Sequence, residues 1–294
     1  MKILFNILST VLVLLMFSCQ QKTVKEIPIA EAQDTLKNRM KENEALKNKA
    51  EMEEGWQIDS VRLSTALDHA IVIAQKILYT GKTYTEFEQT IDSVFHVKTK
   101  IERGTFFSPA FEHLVIRREA PNNVLIDIYL IQNRKMTHVL GHDQWALTYV
   151  SDTLKDVNGD GYKDYVLNWY GSNGCCLKGF SDVYIYQFAK GTFTDQFEFI
   201  NPTFSPKEKT VRGVCYGHPG ETEMYTYKWK GETIDTIEYL AYEKDTNDKK
   251  TGKFITSKEQ RFDDTLKIIK RLGAVPEEYT SLDGYDWFMG DGYE

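Results

Sequence analysis

Residues 156–171 read DVNGDGYKDYVLNWYG. Asp156, Asn158 and Asp160 occupy positions 1, 3 and 5 of a loop, Gly161 position 6 and Asp164 position 9. That spacing lets a tight turn point oxygens inward while glycine takes the sharp bend, and hard oxygen donors in a flexible array suit Ca²⁺ far better than zinc. An EF-hand would need Glu at position 12. That position is Leu167, so the helix–loop–helix form is excluded. Asp164 can supply the last carboxylate and the carbonyl of Tyr162 can complete the shell. Asn-Gly and Asp-Gly also close hairpins unaided, so a bare turn is the competing reading. Against it stands the crowding of carboxylates with only Lys163 inside the loop, which favours a bound cation. A saturated oxygen cage offers no nucleophile, so a structural role is expected for the metal.

The run after the loop, DYVLNWYG, is strand-like, and similar β-branched and aromatic runs surround it. They are SVFHVKTKIE, HLVIRRE, NVLIDIYLIQ, WALTYVSDTL, DVYIYQFA, ETEMYTYKWKG and DTIEYLAYEK, several of them separated by turn clusters such as APNN, NGDG and SNG. The pattern predicts hairpin-linked strands from about residue 93 onward. Before them, Val61, Leu63, Leu67, Ala70, Ile71, Ala74, Ile77 and Leu78 recur at helical spacing, with Asp59 or Ser60 as a cap and Gly81 as a stop. YTEFEQTIDSVF reads equally as a short helix or a strand. Residues 257–272 return to helical spacing through Phe262, Leu266, Ile269 and Leu272.

The chain opens MKILFNILSTVLVLLMFSCQQ. Lys2 followed by an apolar run to Phe17 has the form of a secretory leader, too short for a comfortable membrane span. Ser18-Cys19-Gln20 resembles a bacterial lipobox, so residues 1–18 read as a lipoprotein signal peptide and Cys19 as the lipidated N-terminus. Met16 and Phe17 are larger than the usual residues there, and an ordinary leader would leave Cys19 incidental. Residues 19–55 are rich in Lys, Glu, Ala and Asn with a thin apolar stripe, which predicts a polar tether or solvated helix. Residues 56–294 then form one domain. With Cys19 lipidated, Cys175, Cys176 and Cys215 remain in an oxidising compartment, and a bridge from one of the vicinal pair to Cys215 is expected.

DVNGDGYKD followed by YVLNWYG resembles the calcium loops of FG-GAP and VCBS-type β repeats. With GFSDVYIYQFAKGTF, NPTFSPKEKTV and YGHPGETEMYTYKWKGETI, the stretch from about 120 to 243 is similar to a family of bacterial envelope proteins carrying one such loop on a β-meander. Members of that family include inhibitors or immunity proteins against cell-wall hydrolases. The resemblance implies a β-domain that binds a protein partner rather than catalysing a reaction.

Other constellations are weaker. Formal net charge is -7, from 36 basic and 43 acidic residues with no basic block, which argues against nucleic acid. Cys215 and His218 could form a thiol nucleophile if they met in space. His142 and Asp143 adjoin in LGHDQW; His69, His96, His113 and His138 have strand or helix neighbours. Many carboxylates are present, among them Asp263, Asp264, Glu277 and Glu278, but no motif selects a glycosidase pair. In the tail, Tyr285, Trp287, Phe288 and Tyr293 interleave with Asp283, Asp286, Asp291 and Glu294. That segment could reach a partner, yet packing back on the sheet is the favoured reading.

The expectations are therefore an α+β, mainly β fold: an antiparallel meander, propeller-like or an open sheet, with an N-terminal and a C-terminal helix. Ca²⁺ is expected on Asp156, Asn158, Asp160, Tyr162 and Asp164. The protein is expected in the bacterial cell envelope, lipid-anchored, with a protein partner such as a peptidoglycan hydrolase. The alternative is a glycan-binding lipoprotein stacking sugars on Trp169 and Tyr170, and a hydrolase comes last.

Overall fold

The computed structural model describes residues 29–172, 176–261 and 266–292, of which only the backbone for 29–40 and 43. The expected leader, Cys19, Cys175, Phe262–Thr265, Tyr293 and Glu294 lie outside the described residues. The chain divides into two compact units, Met1–Ile58 and Asp59–Glu294. No helix among the described residues is long and apolar enough to cross a membrane.

Helix α1 runs Ile29–Thr80 without interruption. The expected start at Asp59 or Ser60 is therefore an interior position. EALKNKAEMEE is made of strong helix formers, and one exposed Gly55 costs only about 1 kcal/mol, so nothing halts the helix before Gly81 (φ +70). The Asp59 carboxylate accepts from Arg62 Nη1 at 2.9 Å instead of capping. In the first unit the helix is exposed, with i,i+4 pairs Lys47–Glu51 and Lys49–Glu53.

The second unit is a stack of antiparallel meanders. The first sheet contains β1 (Tyr84–Ile91), β2 (Phe95–Ser108), β3 (Phe111–Glu119), β4 (Asn123–Gln132) and β5 (Lys135–Trp145), paired in chain order. YTEFEQTI is thus a strand. The middle sheet holds β6 (Tyr149–Lys155), β7 (Asp164–Tyr170) and β8 (Gly179–Tyr184). After a small ribbon of β9 (Tyr186–Gln187) and β10 (Thr192–Phe193), β11 (Phe197–Ile200) joins the middle sheet beside β8. The third sheet is β12 (Pro202–Ser205), β13 (Thr210–Val214), β14 (Met224–Lys230), β15 (Thr233–Lys244), β16 (Lys250–Ser257) and β17 (Ile268–Leu272), again in chain order. Short helices α2 (Glu277–Thr280) and α3 (Tyr285–Met289) close the chain.

The side-chain clusters give the layering. Ala70, Ala74, Ile77 and Leu78 of α1 pack on Ile101, Leu114, Ile116 and Tyr129 of the first sheet; the alanines allow the helix to lie close. The opposite face of that sheet meets the middle sheet through Val115, Ile126, Ile128, Tyr165, Leu167 and Tyr184. Val166 and Val183, on the other face of the middle sheet, pack against Val211, Tyr225 and Trp229 of the third. Val214, Met224, Leu240, Tyr242 and Phe254 then cover Tyr279, Leu282 and Phe288. The centre of the middle sheet, where β7 and β8 pair, is buried on both faces, so residues 164–167 and 181–184 are buried without alternation, whereas the edge strand β6 is half exposed. The fold is mainly β, an open stack of antiparallel meanders with helices at both ends, and among the described residues no sheet closes into a barrel.

Three local differences have physical causes. Residues 268–272 pair with Phe254–Ser257 as an edge strand and are not helical, because the edge of β16 offers unsatisfied backbone groups to a segment containing two adjacent isoleucines. The C-terminal helices lie later, at 277–280 and 285–289. WALTYV is broken by a turn, with Thr148 N donating to Trp145 O at 3.0 Å, so its two halves belong to different sheets. Cys215 is a free thiol inside the cluster of Val157, Val166 and Trp229, so the expected bridge to it is not formed.

Candidate functional site

Strand β7 joins two contrasting regions. At its N-terminal end lies the Asp156–Asp164 loop, and the sequence folds it through its own side chains. Asp156 Oδ1 accepts from Gly159 N at 2.6 Å and its Oδ2 from Gly161 N at 2.9 Å. Asn158 Oδ1 accepts from Asp160 N at 3.1 Å, and Asp160 Oδ1 from Tyr162 N at 2.9 Å. Gly159 (φ +74) and Gly161 (φ +91) take the left-handed conformations that the bends require.

The loop is also a junction. Asn158 Nδ2 donates to Gly231 O at 3.3 Å, in the β14–β15 turn of the third sheet. Lys163 N donates to Phe107 O at 3.3 Å in the first sheet. Asp164, fully buried, accepts from Val157 N and from Tyr186 N, each at 2.9 Å, which ties the loop to β9. Burial first, and then the neighbouring Asp160 and Asp156 carboxylates, push Asp164 up from 3.8 to about 7 against the lowering effect of those two N–H donors.

Among the described residues no three His, Cys, Asp or Glu side chains form a ready-made metal cluster. The donor chemistry nonetheless fits a hard cation. The loop presents carboxylate and amide oxygens, and a carboxylate offers about four acceptor sites, so the N–H bonds above leave lone pairs free. A cation would also offset the crowding that raises Asp164.

At the C-terminal end of β7 burial fades. Trp169 stacks on Phe180 across the β7–β8 pair, centroids 4.1 Å apart and planes at 9°. Its Nε1 donates to the buried Asp182 Oδ2 at 3.0 Å, which fixes the indole. The next residue, Tyr170, is 47% exposed and its N–H donates to Thr148 O at 2.8 Å. This bond places it against the β5–β6 turn, which presents Trp145 (49% exposed) and Leu147 (72%), with Val150 (61%) just beyond. Ala146 N donates to Asn122 O at 2.9 Å and Gln144 Nε2 to Thr148 Oγ1 at 2.6 Å, so the turn is held from both sides. Beside this apolar rim lies a cleft of about 330 Å³ whose lining includes Val150, Trp169, Tyr170, Leu177 and Phe180. Trp169 and Tyr170 both border the cleft, but as consecutive residues of β7 their side chains leave on opposite faces of the sheet, Trp169 toward the first sheet. Trp145, Leu147, Val150 and Phe180 were not singled out from sequence, since an apolar residue in a strand-like run reads as core. The β5–β6 turn exposes Trp145 and Leu147, Val150 stands on the edge strand β6, and Phe180 is half-buried on β8.

The remaining candidates have structural places. His142 Nδ1 lies 2.6 Å from Tyr184 Oη, linking the first and middle sheets, while Asp143 Oδ1 accepts from Asn123 Nδ2 at 2.7 Å on the surface. Burial, with the Glu223 carboxylate, pushes the Cys215 thiol up to about 12, the reverse of what a nucleophile needs. Phe288 is fully buried and Trp287 Nε1 donates to Gly217 O at 3.0 Å, so α3 packs onto the third sheet. His113, buried, donates its Nε2–H to Gly191 O at 2.9 Å within an aromatic cluster.

No protein-family model matches the chain, and no curated protein matches it. A solved structure described as "Structure of a Xanthomonas Type IV Secretion System related protein" is similar to it with 14% sequence identity and a TM-score of 0.31, over 63% of this chain and 93% of that one. Likeness at that level carries no functional argument.

Proposed function

We propose that this chain is an exported, lipid-anchored, calcium-stabilised envelope domain that binds a protein partner and performs no chemistry on it. The observation that carries the reading is the set of exposed apolar side chains at and beside the braced β5–β6 turn: Trp145 and Leu147 at the turn, Val150 on β6 and Tyr170 at the end of β7. Exposed apolar groups clustered on one edge are what interfaces use as anchors, and aromatic residues dominate such anchors. The resemblance of DVNGDGYKDYVLNWYG to loops of envelope inhibitor and immunity proteins suggests a cell-wall hydrolase as the partner. Asp156, Asn158 and Asp160, with the Tyr162 carbonyl, would hold Ca²⁺; Asp164, expected from sequence as a further ligand, has both oxygens accepting from backbone N–H groups and would brace the loop from behind. The ion would add charge neutralisation and rigidity at the junction of the sheets.

Two experiments test this. The purified full-length lipoprotein is added to peptidoglycan with a panel of muramidases and amidases, and turbidity is followed. Protection that disappears in Leu147→Asp with an unchanged circular dichroism spectrum supports the reading; clearance of the wall at the same rate with every enzyme of the panel counts against it. Calorimetric titration of Ca²⁺ into chelator-treated protein tests the loop, with heat expected for wild type and none for Asp160→Ala.

A further inference from the structure

We propose that one proton on His142, buried between the first and middle sheets opposite Asp182, sets the direction of a hydrogen-bond chain that locks or loosens the β5–β6 turn. Because that turn carries Trp145 and Leu147, the inference concerns regulation of the binding face and rests on the function proposed above.

The two side chains meet across the sheets, 6% and 4% exposed, with His142 Nε2 3.8 Å from Asp182 Oδ2. Asp182 and Tyr184 are two residues apart on β8 and share a face, the one that packs on the first sheet. Trp169, on the same side of β7, gives its Nε1–H to Asp182 Oδ2 at 3.0 Å. Gln144 lies two residues beyond His142 on β5, its Oε1 3.4 Å from His142 Nε2. The other charged groups on this side are few. Glu198 of β11 pairs with Asp182 across the strands. Arg117 stands in the same row of the first sheet beyond Ile126, bonded to Asp152 of β6 beside Tyr149 and Tyr165.

Donor and acceptor accounting fixes the protons. Thr148 Oγ1 gives its proton to Trp145 O at 3.0 Å, so it accepts from Gln144 Nε2 at 2.6 Å, and this turns Gln144 Oε1 toward His142. At the other nitrogen, Tyr184 gives its hydroxyl proton to Gln196 Oε1 at 3.1 Å, so its oxygen accepts from His142 Nδ1 at 2.6 Å. The Gln196 amide in turn hydrogen-bonds Asp182 with its N–H side, which keeps Oε1 toward Tyr184. Nδ1 therefore carries a proton while Nε2 faces two acceptors, Gln144 Oε1 and Asp182 Oδ2. Neither neutral tautomer suits this arrangement. A bare Nε2 meets two oxygens, and a bare Nδ1 takes the Tyr184 proton away from Gln196. The imidazolium satisfies every partner and sets a positive charge opposite a buried carboxylate. Burial raises the Asp182 carboxyl above its ordinary value and Glu198 adds to the rise, while the His142 charge opposes it, so the proton belongs to the pair.

Loss of the Nε2 proton leaves a lone pair facing Gln144 Oε1. The chain has a second satisfied arrangement. The Gln144 amide turns over, its Nε2 donates to His142 Nε2, its Oε1 accepts the Thr148 hydroxyl, and Trp145 O loses that donor. Thr148 N still bonds Trp145 O, so the turn persists with one bond fewer. Thr148 O also accepts from Tyr170 N, so the loosening reaches both sides of the apolar rim. Two discrete arrangements biased by one proton make a switch.

The test is hydrogen exchange by mass spectrometry on the full-length lipoprotein in detergent, at about pH 5.5 and about pH 8.5, which bracket the ordinary imidazole value. Rates are divided by those of unstructured peptides at each pH. Peptides covering 145–150 and 168–172 should be about fivefold better protected at the lower pH, the size of one side-chain bond to a carbonyl. His142→Gln and Thr148→Val, each checked by circular dichroism, should lose that difference, while a third-sheet peptide covering 211–215 should behave alike in all three chains. The Asp164 contribution is common to the three and cancels. Imidazole ¹⁵N shifts of the wild type should show both His142 nitrogens protonated at the lower pH and Nε2 bare at the higher, a readout that survives should either variant unfold. Equal protection of the turn at both pH values, a pH dependence kept by the folded variants, or a neutral His142 at the lower pH would each overturn the proposal. A proton-dependent turn in a protein that fails to protect peptidoglycan would remove the function proposed above and leave the switch. Leu147-dependent protection with a turn indifferent to pH would do the reverse.

Discussion

The two ends of β7 are built on opposite principles. The Asp164 end is the point where loop, first sheet, ribbon and third sheet meet, and its polar side chains are hydrogen-bonded to backbone groups. The Tyr170 end is apolar and exposed, and its large side chains lack the burial that would make them contribute to folding. Polar groups inside and apolar groups outside invert the usual arrangement at both ends of one short strand. The inverted groups have different consequences. Buried hydrogen-bonded polar atoms impose a single geometry because leaving them unpaired is expensive. Exposed apolar atoms cost little to the isolated fold and gain only when something covers them. Stability and recognition should therefore separate along β7.

The largest effect should come from Asp164→Ala. It strips the partners from Val157 N and Tyr186 N in a dry environment, and a loss of roughly 2–4 kcal/mol is expected in urea unfolding. A loss of less than about 0.5 kcal/mol, the size of a surface change, would erase the contrast. Gly159→Ala should follow, at about 1–3 kcal/mol, because a Cβ there would stand 2.2 Å from Pro206 O on a backbone of positive φ. Compensation by movement of the 206–209 turn would show as a smaller loss, measurable in the same titration.

A third effect is a dependence on pH in the presence of a chelator. Asp164 is harder to ionise folded (about 7) than unfolded (3.8). The folded state therefore holds its proton more tightly, and this group's contribution to stability is full below about pH 4 and is lost as pH rises through 7. Thermal melts in chelator should show that decline, and Asp164→Asn should flatten it. Saturating Ca²⁺ should oppose it by favouring the ionised loop. The smallest effect belongs to the rim: Leu147→Ser should change unfolding free energy by less than about 0.5 kcal/mol, while abolishing protection of peptidoglycan. A substantial destabilisation by Leu147→Ser would mean the turn is part of the core.

The same contrast explains what could be read in advance. The loop was legible because its information is local: Asp156, Asn158, Asp160 and the two glycines satisfy one another within six residues. Most strands were legible too, from β-branched and aromatic runs. The rim was not, because Trp145, Leu147 and Val150 look like any apolar strand residues until the position of the turn is known. Residues 268–272 were misread for a related reason. Their helical spacing is real, but the unpaired edge of β16 outweighs a weak intrinsic preference. Cys215 shows the limit of compartment arguments, since among the described residues it is a free thiol packed in a cluster of valines, aromatics and Trp229.

By itself, then, the amino-acid sequence determined a mainly β chain, a helix stopped at Gly81, and an oxygen-rich turn at 156–164, because hydrogen bonding and backbone freedom over a few residues suffice for each. Only the tertiary structure decided that β7 and β8 are buried on both faces, that the loop bonds to the first sheet, the third sheet and β9, and that Trp145 and Leu147 stand out on a turn. Those outcomes depend on which surfaces residues far apart in the chain cover, and no local pattern encodes that.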